Sequence, residues 1–584
     1  MKCRLKLFHL ACLFAAPITW LNGGALASAD PPAGDRPNIV VIMLDDLGYS
    51  DLGCYGGEIR TPNIDRLASG GLRFTHFYNA SRCCPTRAAM LTGLYPHQVG
   101  LAHNGRDLSR DGATIAELLR AAGYQTAMAG KWHLSETAPV GGKPGSPEHF
   151  AWLNHQADFE RPFAALDTYP VSRGFERHYG NIWGVVNYFD PFSLVEGTEP
   201  VKEVPDGYYH TDAITRKSAE YIRAMAAEDR PFFLYVAHCA PHWPLHARPA
   251  DIDRYRDTYR GGWLALRDDR YRRQVAMGLI EPATHPLPEL MGRGPAWDAL
   301  DAGRRDHESA LMAVHAAMVD RVDQGVGDII QALKDVGRLD DTIIFVLADN
   351  GASPERYTDP GFDRASETRA GRPIRYDGRF EPGSENTWGY IGSYWANAAN
   401  TPYRYWKVEA FEGGCRTPLV VYGPGVLETS PGSTTPQIGH VIDLMPTCLE
   451  LAGVEYPRQF AGHDLKPVEG KSLAPLFHDR RRVAHPALYF EHEGGRAVLA
   501  DGWKLVATAR GDWELYHVAE DATETKNLAG HHPKRVSEMA RMWRDWAGRV
   551  GADIPARVGE NPATAPPVTP RAVGGSIDDQ ADER

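Results

Sequence analysis

The feature that most constrains this chain is a series of short segments that are apolar at every position, not at every second one. Ile39–Leu44, Phe232–Ala237 and Ile343–Ala348 each stay apolar for the length of one strand, joined by the shorter Leu419–Tyr422 and the weaker Tyr124–Ala129. A strand that is apolar on both faces must be covered on both faces, as strands are in parallel sheets flanked by helices. Helical patterns fall between these runs. Residues 114–122 (TIAELLRAA) read as a helix stopped by Gly123, and Leu311, Val314, Met318, Val322, Val326, Ile329 and Leu333 recur along one long helix. The pattern predicts an α/β fold with a largely parallel central sheet flanked by helices over residues 30–483.

Beyond residue 484 the pattern changes. Ala487–Glu491, Arg496–Leu499, Trp503–Thr508 and Trp513–His517 are close-set strands, with Asp501-Gly502 as a hairpin turn and a helix from Pro533 to Ala547. A smaller C-terminal antiparallel-sheet subdomain with one helix is therefore expected over 484–552. Residues 553–584, rich in Pro, Gly and charge, read as a disordered tail. At the other end, Lys2, Arg4 and Lys6, the apolar Leu7–Ala16 and the small-residue sites at Ala25–Ala27 and Ala27–Ala29 read as a signal peptide over 1–29. This predicts export, to a periplasm or beyond. No later segment is long and apolar enough to span a bilayer. The net charge of −12 and the lack of a basic stripe argue against a nucleic-acid partner.

Once the signal is removed, Cys54, Cys83, Cys84, Cys239, Cys415 and Cys448 remain. They are too sparse for a disulfide framework, and no spacing suits zinc. The reactive residues instead gather where strands end. Asp45-Asp46 follows the first run, Lys131-Trp132-His133 the second, His238 and Pro241-His242 the third, and Asp349-Asn350 the fourth. In open α/β sheets, ligands bind beyond the carboxyl ends of the strands. Asp45, Asp46, Asp349 and Asn350 offer hard oxygens, which suit Ca²⁺ or Mg²⁺ better than zinc. One Asp after a strand is ordinarily turn chemistry. Two acidic pairs, each after a buried strand, favour a metal. In SRCCPTRAAMLTG (81–93), Pro85 and Gly93 mark the first turn and the stop of a helix, placing Cys83 just before its N-terminus. That end attracts anions, and Arg87 lies one turn inside. From composition alone, two buried structural cysteines or a vicinal disulfide are the plainer reading. His76, His97, His103, His238 and His246 read as structural. The aromatic stretch 181–194 is read equally as pocket lining or as core.

The segment Cys83-Cys84-Pro85-Thr86-Arg87 matches the C-x-P-x-R signature of the sulfatases, and Leu91-Thr92-Gly93 matches its continuation. PNIVVIMLDDLGYSDLGCYGG (37–57), TPNIDRLASGGLRFTHFYN (61–79), GYQTAMAGKWHL (123–134), APHWPL (240–245), LADNG (347–351), KVEAFEGGCRTPLVV (407–421) and WELYHVAEDATETKNLA (513–529) resemble blocks of the same family, in the family's order. WLALRDDRYRRQVAMGLI (263–280) resembles a stretch of bacterial arylsulfatases. The resemblance implies an alkaline-phosphatase-like core. It implies that a maturation enzyme, a transient partner, oxidises Cys83 to formylglycine (3-oxoalanine). It further implies one Ca²⁺ held by Asp45, Asp46, Asp349, Asn350 and an oxygen of the modified Cys83. By the same resemblance, Arg87 holds the formylglycine, Lys131 and Lys407 bind sulfate oxygens, and His133 hydrogen-bonds the formylglycine hydroxyls. His242 contacts the sulfate and protonates the leaving oxygen. One hydroxyl of the hydrated aldehyde attacks sulfur with Asp349 as base, and the other expels sulfate from a covalent sulfo-enzyme. Thr86 stands where serine is more frequent, and Ser135 where glycine is common. The substrate is then a small-molecule or carbohydrate sulfate ester. Two alternatives stay open: a phosphodiester or phosphonate monoester hydrolase of the same superfamily, and a non-catalytic binding protein on the same scaffold. The sign of the latter would be the loss of Cys83, Lys131, His242 or Lys407, and all four are present.

Overall fold

The computed structural model describes residues 36–136, 146–154, 162–368 and 370–553. The signal segment, and the tail from residue 554, lie outside the described residues. The main sheet contains β1 (Asn38–Leu44), β2 (Leu72–Tyr78), β3 (Gln125–Gly130), β4 (Arg177–Asn181), β5 (Leu194–Glu196), β6 (Glu199–Pro200), β7 (Phe232–Ala237), β8 (Thr342–Ala348), β9 (Arg416–Tyr422), β10 (Ser433–Thr435) and β11 (Gly439–His440). The strand order is β10-β2-β9-β8-β1-β7-β3-β4-β5-β6, with β11 paired to β2. From β8 to β4 every pairing is parallel. β9 runs antiparallel to both β8 and β2.

Alternate residues of the central strands feed two separate cores. Ile39, Val41 and Met43 pack on one face of β1 and Val40, Ile42 and Leu44 on the other. β8 divides in the same way, with Ile343, Phe345 and Leu347 opposite Ile344, Val346 and Ala348. Helices cover both faces, so every position of these strands loses water-exposed apolar surface, at about 1.5–3 kcal/mol per large side chain. This accounts for the unbroken apolar runs.

The helix over Ile115–Ala121 starts in a capping box, in which the Glu117 N–H donates to Thr114 Oγ1 (3.0 Å) and the Thr114 N–H donates to Glu117 Oε2 (2.7 Å). The long helix spans Ala302–Asp335, and Asp301 caps it by accepting from the Arg304 N–H (2.8 Å). It begins well before Leu311 because its first turns are polar, which hides them from an apolar periodicity. Of the aromatic stretch 181–194, Trp183 lies 5.3 Å from Trp152 and 4.9 Å from Phe192 between ring centres and is buried, so its role is packing.

β12 (Gln459–Phe460) and β13 (His463–Asp464) form a small separate ribbon. The C-terminal sheet is the antiparallel series β14 (Leu488–His492), β15 (Gly495–Ala500), β16 (Trp503–Ala507) and β17 (Glu514–His517). Asp501 (φ 49°) and Gly502 (φ 75°) make the tight turn between β15 and β16. The helix Pro533–Val550 lays Trp543 and Trp546 on this sheet. A buried ionic cluster ties it to the main sheet. Lys504 Nζ lies 2.7 Å from Glu412 and 3.0 Å from Glu524, and Arg416 lies 3.1 Å from Glu412.

Candidate active site

β8, β1, β7 and β3 are consecutive neighbours in the sheet and run parallel, so their carboxyl ends share one edge. That edge brings together Asp349 and Asn350, Asp45 and Asp46, the His242 loop, and Lys131 with His133. Cys83 is the first residue of the helix Cys83–Thr92, with Arg82 as its N-cap. Two site residues sit in left-handed backbone, Asp46 (φ 63°) and His133 (φ 58°). Such conformations cost about 1–3 kcal/mol and persist where surrounding contacts enforce them. The Asp46 N–H donates to Asp349 Oδ1 (3.3 Å), and a side chain at Gly184 would strike the His133 ring.

Ion pairs and hydrogen bonds link the expected residues. Lys131 Nζ lies 2.5 Å from Asp45 Oδ2. Arg87 donates to Asp349 Oδ2 through Nη2 (2.7 Å) and Nε (3.1 Å), and its Nη2 lies 3.4 Å from Asp45. Asn350 Nδ2 donates to Asp46 Oδ1 (2.7 Å). Lys407 Nζ lies 2.9 Å from Asp46 Oδ1 and 3.2 Å from His242 Nε2. The Cys83 and Cys84 sulfurs and a His133 nitrogen lie within 4.8 Å of one another. Cys83 and the carboxylates and cations of this group are all buried, and His133 is half-buried. His238 does not join the cluster. Its backbone N–H donates to the Met43 carbonyl (2.9 Å), its two ring nitrogens are buried without a hydrogen-bond partner, and burial takes its imidazole down to about 4.

The electrostatics follow from burial and charge. The hydrogen bond from Cys84 holds the Cys83 thiol well below its usual range, and Lys131 and His133 act in the same direction. Burial pushes the Asp349 carboxyl well up, and the neighbouring Asp45 adds to this. Burial would lower Lys131 and Lys407, but Asp45 holds the first ammonium above its ordinary value and Asp46 the second. Burial, helped by the Lys407 charge, takes His242 down to about 3, so its imidazole is neutral. His242 Nδ1 faces the Trp243 carbonyl at 2.6 Å. A carbonyl only accepts, so Nδ1 carries the proton and Nε2 is the acceptor facing Lys407.

Asp45 Oδ1 and Asn350 Oδ1 are buried with no hydrogen-bond partner. Other buried oxygens also lack a partner, but these two belong to one cluster of three carboxylates and an amide, the chemistry that a hard cation satisfies. The donor set, oxygen throughout, fits one Ca²⁺.

Glu355 has no counterpart among the residues expected from the sequence. Its Oε2 accepts from Lys407 Nζ (3.0 Å), Trp243 Nε1 (2.7 Å) and Ser353 Oγ (2.8 Å), and its Oε1 accepts from Arg82 Nη1 (2.9 Å). Burial would raise this carboxyl, but Lys407 and Arg82 hold it well below its usual range. It gives Lys407 a second carboxylate besides Asp46. Its one signal in the sequence is its place in the loop that follows Asn350.

Comparison with known proteins identifies the family. The sulfatase family model matches residues 37–454, and that of the N-sulphoglucosamine sulphohydrolase C-terminal region matches 404–545. An uncharacterized sulfatase of Schizosaccharomyces pombe is 31% identical over 88% of this chain and 94% of its own length. The arylsulfatase of Klebsiella aerogenes is 31% identical over 78% of this chain and 94% of its own. Among solved structures, Ps i-CgsB in complex with k-i-k-neocarrahexaose shares the fold at a TM-score of 0.60, with 24% identity over 88% of this chain and 93% of that one. A parallel sheet with these residues at one edge, matched over most of its length, makes this chain a member of the sulfatase family, an enzyme that hydrolyses sulfate esters.

Proposed function

We propose that this enzyme is an exported, arylsulfatase-like hydrolase whose nucleophile is a formylglycine made from Cys83 by a maturation enzyme and whose metal is one Ca²⁺. The observation that carries the reading is the pair of orphaned oxygens, Asp45 Oδ1 and Asn350 Oδ1, in the cluster that also holds Lys131, Arg87 and Cys83. When present, the Ca²⁺ supplies positive charge opposite the sulfate, and the hydrated aldehyde supplies two hydroxyls on one carbon, one to attack sulfur and one to drive sulfate out. Asp45, Asp46, Asp349 and Asn350 hold the ion.

Arg87 and Lys131 neutralise the carboxylates and line the nucleophile's side of the site, and Lys407 offers a second ammonium to the sulfate oxygens. Burial keeps water from these charges, so each counts for more than it would in bulk solvent. His133 stands beside Cys83, held by its own strained backbone and by the close approach of Gly184. Asp349 accepts the nucleophile's proton on this reading. Lys407 and the Nε2 of His242 form a proton-bearing pair, and the leaving oxygen takes its proton from that pair.

The test is a leaving-group series. With His242→Ala or Lys407→Ala, kcat/KM for aryl sulfates of poor leaving groups is expected to fall about 100-fold, and for good leaving groups far less, because proton donation matters most when the departing oxygen is basic. An equal loss along the series would reject the proton-donor role and leave sulfate binding alone.

A further inference from the structure

Lys407 and Glu355 face two ways. Lys407 meets Asp46 and His242, and both residues also line a cavity of about 530 Å³ beside the site. The cavity has the size of a small-molecule pocket. It is where the part of the substrate that does not react must lie.

Its far wall is cationic. Arg304 and Arg356 lie 2.8 and 3.1 Å from the same carboxylate, Glu308, so one negative charge serves two guanidiniums. Arg293 has no carboxylate within ion-pair distance among the described residues. Its guanidinium sits 5.9 Å over the Trp406 ring, also part of the wall. The backbone holds Arg293 in place. Its N–H donates to Ser393 Oγ (2.7 Å), and the Tyr394 hydroxyl donates to the Gly294 carbonyl (3.0 Å). Gly294 itself turns through φ 101°, a conformation that only glycine takes readily. Two carboxylates also face this space. Glu493 is 3.3 Å from His492 Nε2, and Glu409 feels the Arg293 charge from beyond ion-pair distance. An exposed guanidinium above an indole, with its backbone anchored and no carboxylate at ion-pair distance among the described residues, can receive a planar anion in two parallel hydrogen bonds.

We infer that the substrate is a sulfate ester whose leaving group carries a second anionic group, a carboxylate or a further sulfate, received in this cavity by Arg293. The inference rests on the hydrolytic site described above and names the substrate class that the site serves. A sulfated sugar bearing a uronate or a second sulfate fits, and so does a carboxylated aryl sulfate. The chemistry they share is a sulfate ester with a second negative charge on the leaving group.

The experiment uses matched pairs that differ only in that charge. The pairs are 4-carboxyphenyl sulfate and its methyl ester, and a sulfated uronate-containing disaccharide and its methyl ester. At least one carboxylate is expected to exceed its ester in kcat/KM by about tenfold or more, consistent with a charged hydrogen bond. That preference should collapse in Arg293→Gln, survive in part in Arg293→Lys, and shrink as salt rises. Equal kcat/KM within every pair would overturn the inference while leaving the enzyme a sulfatase. A preference unchanged in Arg293→Gln would overturn the assignment to Arg293. No turnover of any of the four compounds by matured enzyme would overturn the proposed hydrolytic site as well.

Discussion

Cys83→Ser is expected to stop the enzyme after at most one turnover and to leave sulfate covalently attached at position 83. The substitution removes one of two hydroxyls from the reacting carbon and little else. Lys131, Lys407 and His242 stay in place, and Arg87 keeps its hold on Asp349 at 2.7 Å, so attack on sulfur still proceeds. The exit does not. With no second hydroxyl on that carbon there is nothing to push sulfate out, and water must cleave the ester in a site shaped for another route. Steady-state turnover should fall on the order of a thousandfold or more, as when a nucleophile's function is removed. Peptide mass spectrometry after incubation with substrate reads the attached sulfate directly. Serine turnover at a substantial fraction of the wild-type rate would mean that the second hydroxyl has no part in the reaction.

Asp46→Ala is expected to lose both the metal and the activity. Asp46 is in contact with Asn350 Nδ2 (2.7 Å) and Lys407 Nζ (2.9 Å), so its removal takes one proposed oxygen ligand and leaves each of those two groups with one partner fewer. Removing one carboxylate from a small oxygen site weakens Ca²⁺ binding steeply. We expect a loss of more than about 100-fold in kcat/KM, larger than the 10–100-fold typical of groups outside the ligand set. The Ca²⁺ content of the purified variant should fall in parallel. Thorough chelation of the wild type should abolish activity, and Ca²⁺ should restore it. Restoration by Zn²⁺ but not by Ca²⁺ would overturn the metal assignment, because the donor atoms here are all oxygens.

The fold was legible where the sequence carries its constraint locally. The runs ending at Leu44, Ala237 and Ala348 are apolar on both faces because two cores meet them, and that pattern needs no other information. The reactive residues were legible for a related reason. Asp45, Lys131, His242 and Asp349 directly follow strands or lie in short loops after them, so chain order alone brought them to one edge. What escaped depends on contacts between distant segments. β9 runs antiparallel although it is apolar on both faces, since periodicity records burial and not direction. β2 was hidden by Arg73, Thr75 and His76, only half-buried on a less covered part of the sheet. The first turns of the long helix carry Arg304 and Glu308, whose partner Arg356 is far along the chain. Glu355 and Arg82 have meaning only once the loops after β8 and β2 meet around Lys407.

On the proposed mechanism Cys83 works as an aldehyde and not as a thiol. This is tested most directly on the wild-type protein, prepared in fully active form with a competent maturation system. The account predicts that the peptide containing residue 83 has the mass of formylglycine at that position, that it reacts with a hydrazide, and that the fraction modified tracks the specific activity of the preparation. Fully active protein whose residue 83 is an unmodified cysteine would contradict it.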